Sequence, residues 1–369
     1  MSDSSVLFEP YTFRSGARAK HRITLAPLTN LQSYPSGVCS PEERHWLERH
    51  ARGDFALVMT CASHVSATGQ GFSGQLGCGS DEQLPGLTEL ASALNRHDTL
   101  AVVQLYHGGA RSPATLTGQQ PISASAWTEE KPDLDSPRAA TTLEIEQIID
   151  DFCAAARRVQ RAGFHGIELH GAHGYLLSQF LSRVRNTRAD GWGGTLMGRA
   201  RLLRHIVQRI RAEIPQPFIV GIRLSPEEMP TAPGLDLDDT IQVAQWLAED
   251  GADFIDLSLW NYHRKTLKRP DEHPLPLFRA ALPGDVAIFA AGAMWSRADA
   301  HAVLDLGADF ISLGRAAIVD PDWPRHARHA HFEPRRAPLT PEQYRHNGLS
   351  DPFIQYLKGF KGMMADSAG

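Results

Sequence analysis

The chain has 369 residues, 42% of them hydrophobic and 21% charged, the makeup of an ordinary globular protein. A net charge of −5 gives no electrostatic reason for a nucleic acid or an anionic membrane as partner, and no apolar run approaches the ~18 residues that span a bilayer. Met1 to Ser5 lacks the basic and apolar regions of a signal peptide, and Cys39, Cys61, Cys78 and Cys153 show neither CxxC spacing nor a small-domain disulfide pattern, so a cytoplasmic protein with reduced thiols is expected.

Eight short apolar runs read as strands: Ile23–Pro27, Phe55–Thr60, Leu100–Leu105, Gly166–His170, Phe218–Leu224, Phe254–Ser258, Val286–Ala290 and Phe310–Gly314. Their near-continuous hydrophobicity suits parallel strands buried on both faces. Helical patterns lie between them. Thr141 followed by Glu144 predicts a capping box. Ile145, Ile148, Ile149, Phe152, Cys153, Ala156 and Val159 then form one apolar stripe, and Gly163 predicts the stop. No GxGxxG follows the first strand, so the repeated units favour a closed (β/α)₈ TIM barrel over an open doubly wound sheet.

The stretch 108–140, rich in Pro, Ser and Thr, is too long for an ordinary loop and reads as an excursion after strand three that partly caps the site. Residues 1–335 are taken as the barrel with this excursion, and 336–369 as a C-terminal extension of the same domain, interrupted by Pro338, Pro341 and Pro352.

In such a barrel the carboxyl ends of the strands face the active site. Those ends carry Pro27 to Thr29, Ala62, Gln104, His170, Arg223, Ser258, Ala291, Gly292, Gly314 and Arg315. Few are acidic, which argues against a carboxylate-clustered metal site, and none is Lys, which argues against Schiff-base chemistry. Arg223 ends an apolar strand with no carboxylate partner evident in the sequence. Glycines beside Arg315 suit a phosphate held by backbone N–H groups and a cation.

The sharpest motif is His170-Gly171-Ala172-His173-Gly174-Tyr175. Two imidazoles three residues apart can donate to one substrate oxygen, and the Tyr175 phenol can supply a proton. A zinc site is the rival reading, but no third ligand is apparent. Tyr106, Trp127, Trp260 and Tyr262 are candidate pocket aromatics, and the run His326, His329, His331 reads as a solvated helix end.

The string from His170 through Leu181, with Asn186-Thr187-Arg188 and Asp190-Gly191-Trp192-Gly193-Gly194-Thr195, closely resembles the signature of the old yellow enzyme family. Further matches are Ala26-Pro27-Leu28-Thr29, Gln104-Leu105-Tyr106-His107-Gly108-Gly109, Arg223-Leu224-Ser225 and Leu313-Gly314-Arg315, so the resemblance covers roughly Leu7 to Arg335.

The resemblance implies non-covalently bound FMN, NADPH or NADH as electron donor, and reduction of activated C=C bonds in α,β-unsaturated carbonyl or nitro compounds by ping-pong kinetics. It places Ala26, Pro27 and Thr29 on the flavin, and Ala62 and Gln104 on its pyrimidine edge. It puts Arg223 at N1 and the C2 carbonyl, and Gly292, Ala293, Gly314 and Arg315 on the phosphate. His170 and His173 would hold the acceptor's oxygen, and Tyr175 would protonate its α-carbon. Asn30-Leu31-Gln32 replaces the Arg residues of many relatives and leaves that pocket wall open. Alternatives are a pathway-specific FMN barrel of the dienoyl-CoA reductase or amine demethylase type, and a flavin-free phosphate-binding barrel. The expected partner is a small activated alkene, with no nucleic acid and no membrane; a homo-oligomer stays open.

Overall fold

The computed structural model describes residues 6–129, 134–329 and 331–365. Eight parallel strands close into a barrel in chain order: β1 Ile23–Leu25, β2 Leu57–His64, β3 Leu100–Tyr106, β4 Gly166–Gly171, β5 Ile219–Leu224, β6 Phe254–Ser258, β7 Ala287–Ala291 and β8 Phe310–Leu313. Each expected strand is present. The second runs on to His64 through a register irregularity between Met59 and Ala62, so Ala62 lies within the strand rather than at its end.

Around the barrel lie α1 Pro41–Arg52, α2 Leu84–Asn95, α3 Thr142–Arg161, α4 Leu196–Glu213, α5 Leu237–Glu249, α6 Pro274–Ala281 and α7 Arg297–Asp305. In α3 the expected capping box forms in both directions. Thr141 Oγ1 accepts from the Glu144 amide at 3.2 Å, and the Thr141 amide donates to the Glu144 carboxylate at 2.8 Å. The apolar stripe from Ile145 to Val159 is buried, and Gly163 adopts φ +94 just beyond the helix.

The interior has its own core, which the strand pattern alone does not announce. A two-stranded antiparallel ribbon, Tyr11–Thr12 with Arg18–Ala19, closes the amino-terminal end of the barrel and inserts Phe13. Phe13 stacks on Phe310 at 5.4 Å, and Phe254 stacks on Phe289 at 4.2 Å. A side chain at Gly221 would have its Cβ 1.9 Å from Phe254 Cζ, so glycine on β5 makes room for this aromatic layer. One end of the barrel is thereby plugged, and the strand carboxyl ends form the open mouth.

The excursion after β3 includes a short two-stranded sheet, Ile122–Ser123 with Arg138–Ala139. It leans on the segment after β4: Ser123 Oγ donates to Gln179 Oε1 at 2.8 Å, and Arg188 donates to the carbonyls of Ala124 and Ala140. Residues 130–133 of this stretch lie outside the described residues. The C-terminal segment contains helices Pro341–His346 and Asp351–Leu357. Phe353 meets Trp46 of α1 edge-on at 5.1 Å, and Tyr344 donates its hydroxyl to the Met363 carbonyl. No described helix is long and apolar enough to cross a membrane.

Several imidazoles are buried neutral. Burial lowers the His21, His50 and His64 pKa values to about 4, and that of His107 to about 3, from an ordinary 6.5. Between those values the unfolded chain binds protons that the folded chain refuses, so their contribution is complete above 6.5 and fades as the pH falls toward 4. The expected result is a urea unfolding midpoint that drops from pH 7 to pH 5, with each histidine contributing up to about 1.4 kcal/mol per pH unit. A midpoint that holds or rises over that interval would contradict the burial of these rings.

Candidate active site

Three strands in register build the centre of the mouth. His170 on β4 pairs with Arg223 on β5, and Arg223 pairs with Asp256 on β6. One step toward the plugged end, Ala62 pairs with Gln104 on β3, and Gln104 with Glu168 on β4. Side chains two residues apart on a strand share a face, so Glu168 lies beneath His170, and Asp256 beneath Ser258.

Arg223 is therefore not the unpartnered cation that its strand suggests. Its Nε lies 3.5 Å from Asp256 Oδ2, and Nη2 reaches Ser258 Oγ at 3.4 Å. Glu168 accepts from Gln104 Nε2 at 2.6 Å. Arg223 is 6% exposed, and Glu168 and Asp256 are both 0% exposed. Glu168 Oε2 and both Asp256 oxygens accept no well-formed hydrogen bond, the Arg223 contact at 3.5 Å being an ion pair, and a donor is what a buried carboxylate requires. A proton supplies it. Burial, then the neighbouring Asp256 charge, hold the Glu168 carboxyl well above its usual range. Burial raises the Asp256 carboxyl too, but Arg223 and a hydrogen bond from Glu168 pull it back down, so the shared proton sits on Glu168 and the charge facing Arg223 on Asp256.

The His pair sits above this layer. The His170 and His173 rings are 5.0 Å apart at 77°. Burial lowers both pKa values, that of His173 to about 3, and Arg223 pushes in the same direction. Both rings are thus neutral at physiological pH, and they present N–H donors rather than charge. The His170 Nδ1 faces the Ala172 amide at 3.4 Å as acceptor, which leaves its proton on Nε2. His173 Nε2 lies 2.7 Å from Ser258 Oγ, so a ligand oxygen must share or displace that contact.

A tight turn aims these groups. His173 has φ +60, and its amide donates to Ser225 Oγ at 3.1 Å. Gly174 follows at φ +77, where a Cβ would lie 1.8 Å from the Thr231 carbonyl. Only glycine fits there. Tyr175 emerges with its ring 4.9 Å from His170 and 4.6 Å from Tyr106, and Arg111 lies over its face at 5.6 Å.

Thr29 is half-buried at the rim, and the Tyr356 phenol of the C-terminal segment comes close to its side chain. Ala26 donates its amide to the Leu313 carbonyl at 3.0 Å, and Pro27 follows it to the rim. On the opposite side a Cβ at Gly292 would lie 2.9 Å from the Tyr262 amide nitrogen, so packing alone demands glycine. Ala293 has φ +57. Gly314 has space, with only a Leu28 methyl at 3.4 Å, and leads into the short helix Arg315–Val319 with Arg315 exposed.

Among the suspected aromatics only Tyr106 enters this cluster. Tyr262 donates to Asp299, Trp127 lies under Arg185 on the excursion, and Trp260 stands 69% exposed at the rim. The uncertain wall after Thr29 is structural: buried Asn30 donates to Glu43 on α1, and Gln32 accepts from the Ser350 amide.

This donor set suits a flavin. Gln104 offers an amide donor and acceptor, Arg223 has a buried Nε without a hydrogen-bond partner, and the Gly314–Arg315 corner leaves room for an anion. The sequence profile of the NADH:flavin oxidoreductase / NADH oxidase family matches residues 6–332. The chain belongs to that family. It is 34% identical to a probable NADH-dependent flavin oxidoreductase of Bacillus subtilis over 323 residues, 86% of each chain. Identity to an NADPH dehydrogenase of Halalkalibacterium halodurans is also 34%, over 87% of this chain and 93% of that one. The old yellow enzyme homologue of Zymomonas mobilis superposes with a TM-score of 0.80 at 28% identity, covering 92% of this chain and 98% of that one. The chain is an FMN-dependent NAD(P)H oxidoreductase of the old yellow enzyme type.

The carboxyl pair, Tyr356 and the Ser258 contact are what the sequence reading missed. Period-two alternation was the available signal, since Glu168 precedes His170 by two residues and Asp256 precedes Ser258 by two. Asp256→Ala, which strands Arg223 in the barrel, is expected to cost about 3–5 kcal/mol of unfolding free energy. Glu168→Gln, which mimics the protonated acid, should stay within about 1 kcal/mol of the parent. Chemical denaturation of both variants checks this; equal losses would refute the assignment of the proton to Glu168.

Proposed function

We propose that this enzyme reduces activated C=C bonds of α,β-unsaturated carbonyl or nitro compounds, in two half-reactions that use the same site in turn. The observation that carries the proposal is the neutral His170–His173 pair with the Tyr175 phenol beside it, over a buried cation. In this reading Ala26, Pro27, Thr29, Ala62, Gln104 and Arg223 hold the flavin ring, and Gly292, Ala293, Gly314 and Arg315 hold its phosphate. When bound, FMN supplies the hydride chemistry, accepting from the nicotinamide and delivering to the β-carbon of the acceptor.

The chain's own groups do the rest. His170 and His173 donate hydrogen bonds to the carbonyl or nitro oxygen, which draws electron density from the conjugated double bond and makes the β-carbon electrophilic. Neutral donors suit this task, because an imidazolium would transfer its proton to the oxygen rather than share it. Tyr175 gives its hydroxyl proton to the α-carbon, which completes addition of a hydride and a proton across the double bond. Tyr106 packs edge-on against Tyr175 and limits its ring to one orientation. Arg223 stabilises negative charge on the adjacent ring edge, and Asp256 keeps that cation in place. Residues 336–365 act here as part of the barrel domain, since Tyr356 reaches the rim beside Thr29.

Rapid-mixing spectroscopy separates the two halves. Tyr175→Phe is expected to leave bleaching of the flavin band by NADPH within a fewfold of the parent. Its return on adding 2-cyclohexenone should slow by about 10²-fold or more, the usual range for loss of a general acid. His170→Ala should weaken enone binding and slow both halves. A flavin that bleaches with NADPH and ignores enones and nitroalkenes alike would refute the substrate class. Because both imidazoles are neutral, the reoxidation rate should show no inflection attributable to them between pH 5.5 and 8.

A further inference from the structure

Beside the His pair, and sharing Ser258 with it, lies a cavity of about 570 Å³ between the loops that follow β5 and β6. Its walls include Trp260, Arg264 and Lys265 from the β6 loop, and Glu227 and Glu228 from the β5 loop. The mechanism above uses none of these five.

Their partners divide them sharply. On the β6 loop, Lys268 is paired with Asp236 and Asp238, and Arg269 with Asp238. Arg264 and Lys265, a few residues earlier, are exposed and have no carboxylate partner among the described residues. The two acids of the cavity are occupied elsewhere: Glu227 accepts from the Leu267 and Lys268 amides, and Glu228 from the Gly234 amide. The donors left open on this wall are therefore the Arg264 and Lys265 cations, while both acids are anchored to backbone amides.

Trp260 adds a second, independent oddity. The residue is 69% exposed, and its backbone sits at φ +60, a left-handed conformation that is costly for a bulky side chain. The loop around it is not loose. The Tyr262 amide donates to the Gly292 carbonyl at 2.9 Å, its hydroxyl donates to Asp299, and its carbonyl meets His273 Nε2 at 2.7 Å. A rigid loop thus holds an indole face open to solvent beside two free cations.

We propose that this cavity is the binding site for the adenosine and phosphate half of the nicotinamide donor, with Arg264 and Lys265 on its phosphates and Trp260 stacked on the adenine. The donor carries a flat aromatic base and several negative charges on one tether. Its other end, the nicotinamide, belongs at the His pair, and Ser258 is common to both places. The proposal rests on the preceding placement of the nicotinamide. It adds that donor binding and alkene binding use separable residues: a small enone never reaches Trp260 or the two cations.

The test uses the purified flavoprotein. Adenosine 2′,5′-bisphosphate, which has the base and phosphates but no nicotinamide, should bind and quench tryptophan fluorescence. Trp260→Ala should abolish that quench. The double variant Arg264→Ala with Lys265→Ala should weaken bisphosphate binding, and raise the apparent Kd for NADPH in anaerobic flavin reduction, by about tenfold or more, on the scale of one lost charge-assisted contact. The limiting reduction rate should stay within about twofold of the parent, since binding in this cavity is uniform to ground and transition states. 1-Benzyl-1,4-dihydronicotinamide, which lacks the adenosine half and every phosphate, should reduce parent and variant alike.

A loss confined to NADPH would put the cations on the 2′-phosphate, and an equal loss with NADH would put them on the pyrophosphate; either upholds the site. Unchanged bisphosphate and NADPH affinity in the double variant, or an equal loss with the phosphate-free benzyl dihydronicotinamide, would overturn it. Donor binding as described in an enzyme that reduces no activated alkene would overturn the reaction of the previous subsection and leave this site standing.

Discussion

A guanidinium taken out of water inside a hydrophobic barrel has to be neutralised nearby, and the arrangement of this active site follows from how Arg223 meets that demand. Its register neighbour Asp256 carries the opposing charge at 3.5 Å, and Glu168 carries the proton that lets two carboxyl groups share one buried place. The layer is held by strands rather than loops, so the cation is fixed to within the stiffness of a closed sheet. In the proposed reaction, a flavin edge that becomes anionic on reduction would meet a positive charge already in position, with little solvent to reorganise.

The same cation sets the state of the groups above it. His170 and His173 are buried, and Arg223 adds a repulsion that disfavours a second positive charge. Neutral imidazoles are donors without net charge, suited to an uncharged carbonyl or nitro group. A single buried Arg–Asp pair therefore links the layer beneath the mouth to the neutral imidazoles above it. Tyr175 stands just beyond this pair, on a turn whose left-handed His173 and Gly174 swing it back over the rings. The turn exists because Gly174 lies against the Thr231 carbonyl, where no side chain fits.

The rim is assembled from parts distant in sequence. Tyr356 arrives from the C-terminal segment beside Thr29, and that segment is anchored by Phe353 on Trp46 and by Ser350 on Gln32. The β6 loop is pinned to the turn after β7 through Tyr262 and Gly292. Both ends of the chain's catalytic neighbourhood thus depend on packing outside the barrel, which ties substrate-pocket shape to the stability of peripheral elements.

Much of this was legible in the linear chain. Continuous apolar runs at the spacing of βα units determine a parallel barrel, because strands buried on both faces and joined by helices have few other ways to close. The capping box at Thr141, the His170–Tyr175 string and the residues at strand ends are local features, and local chemistry survives being read without coordinates. What only the tertiary structure decided are relations between strands: that Asp256 faces Arg223, that Glu168 shares its burial, that Phe13 plugs the barrel floor, and that Tyr356 reaches Thr29. Each depends on register and chain return, and these are set by the summed packing of the whole barrel rather than by any residue's neighbours in sequence.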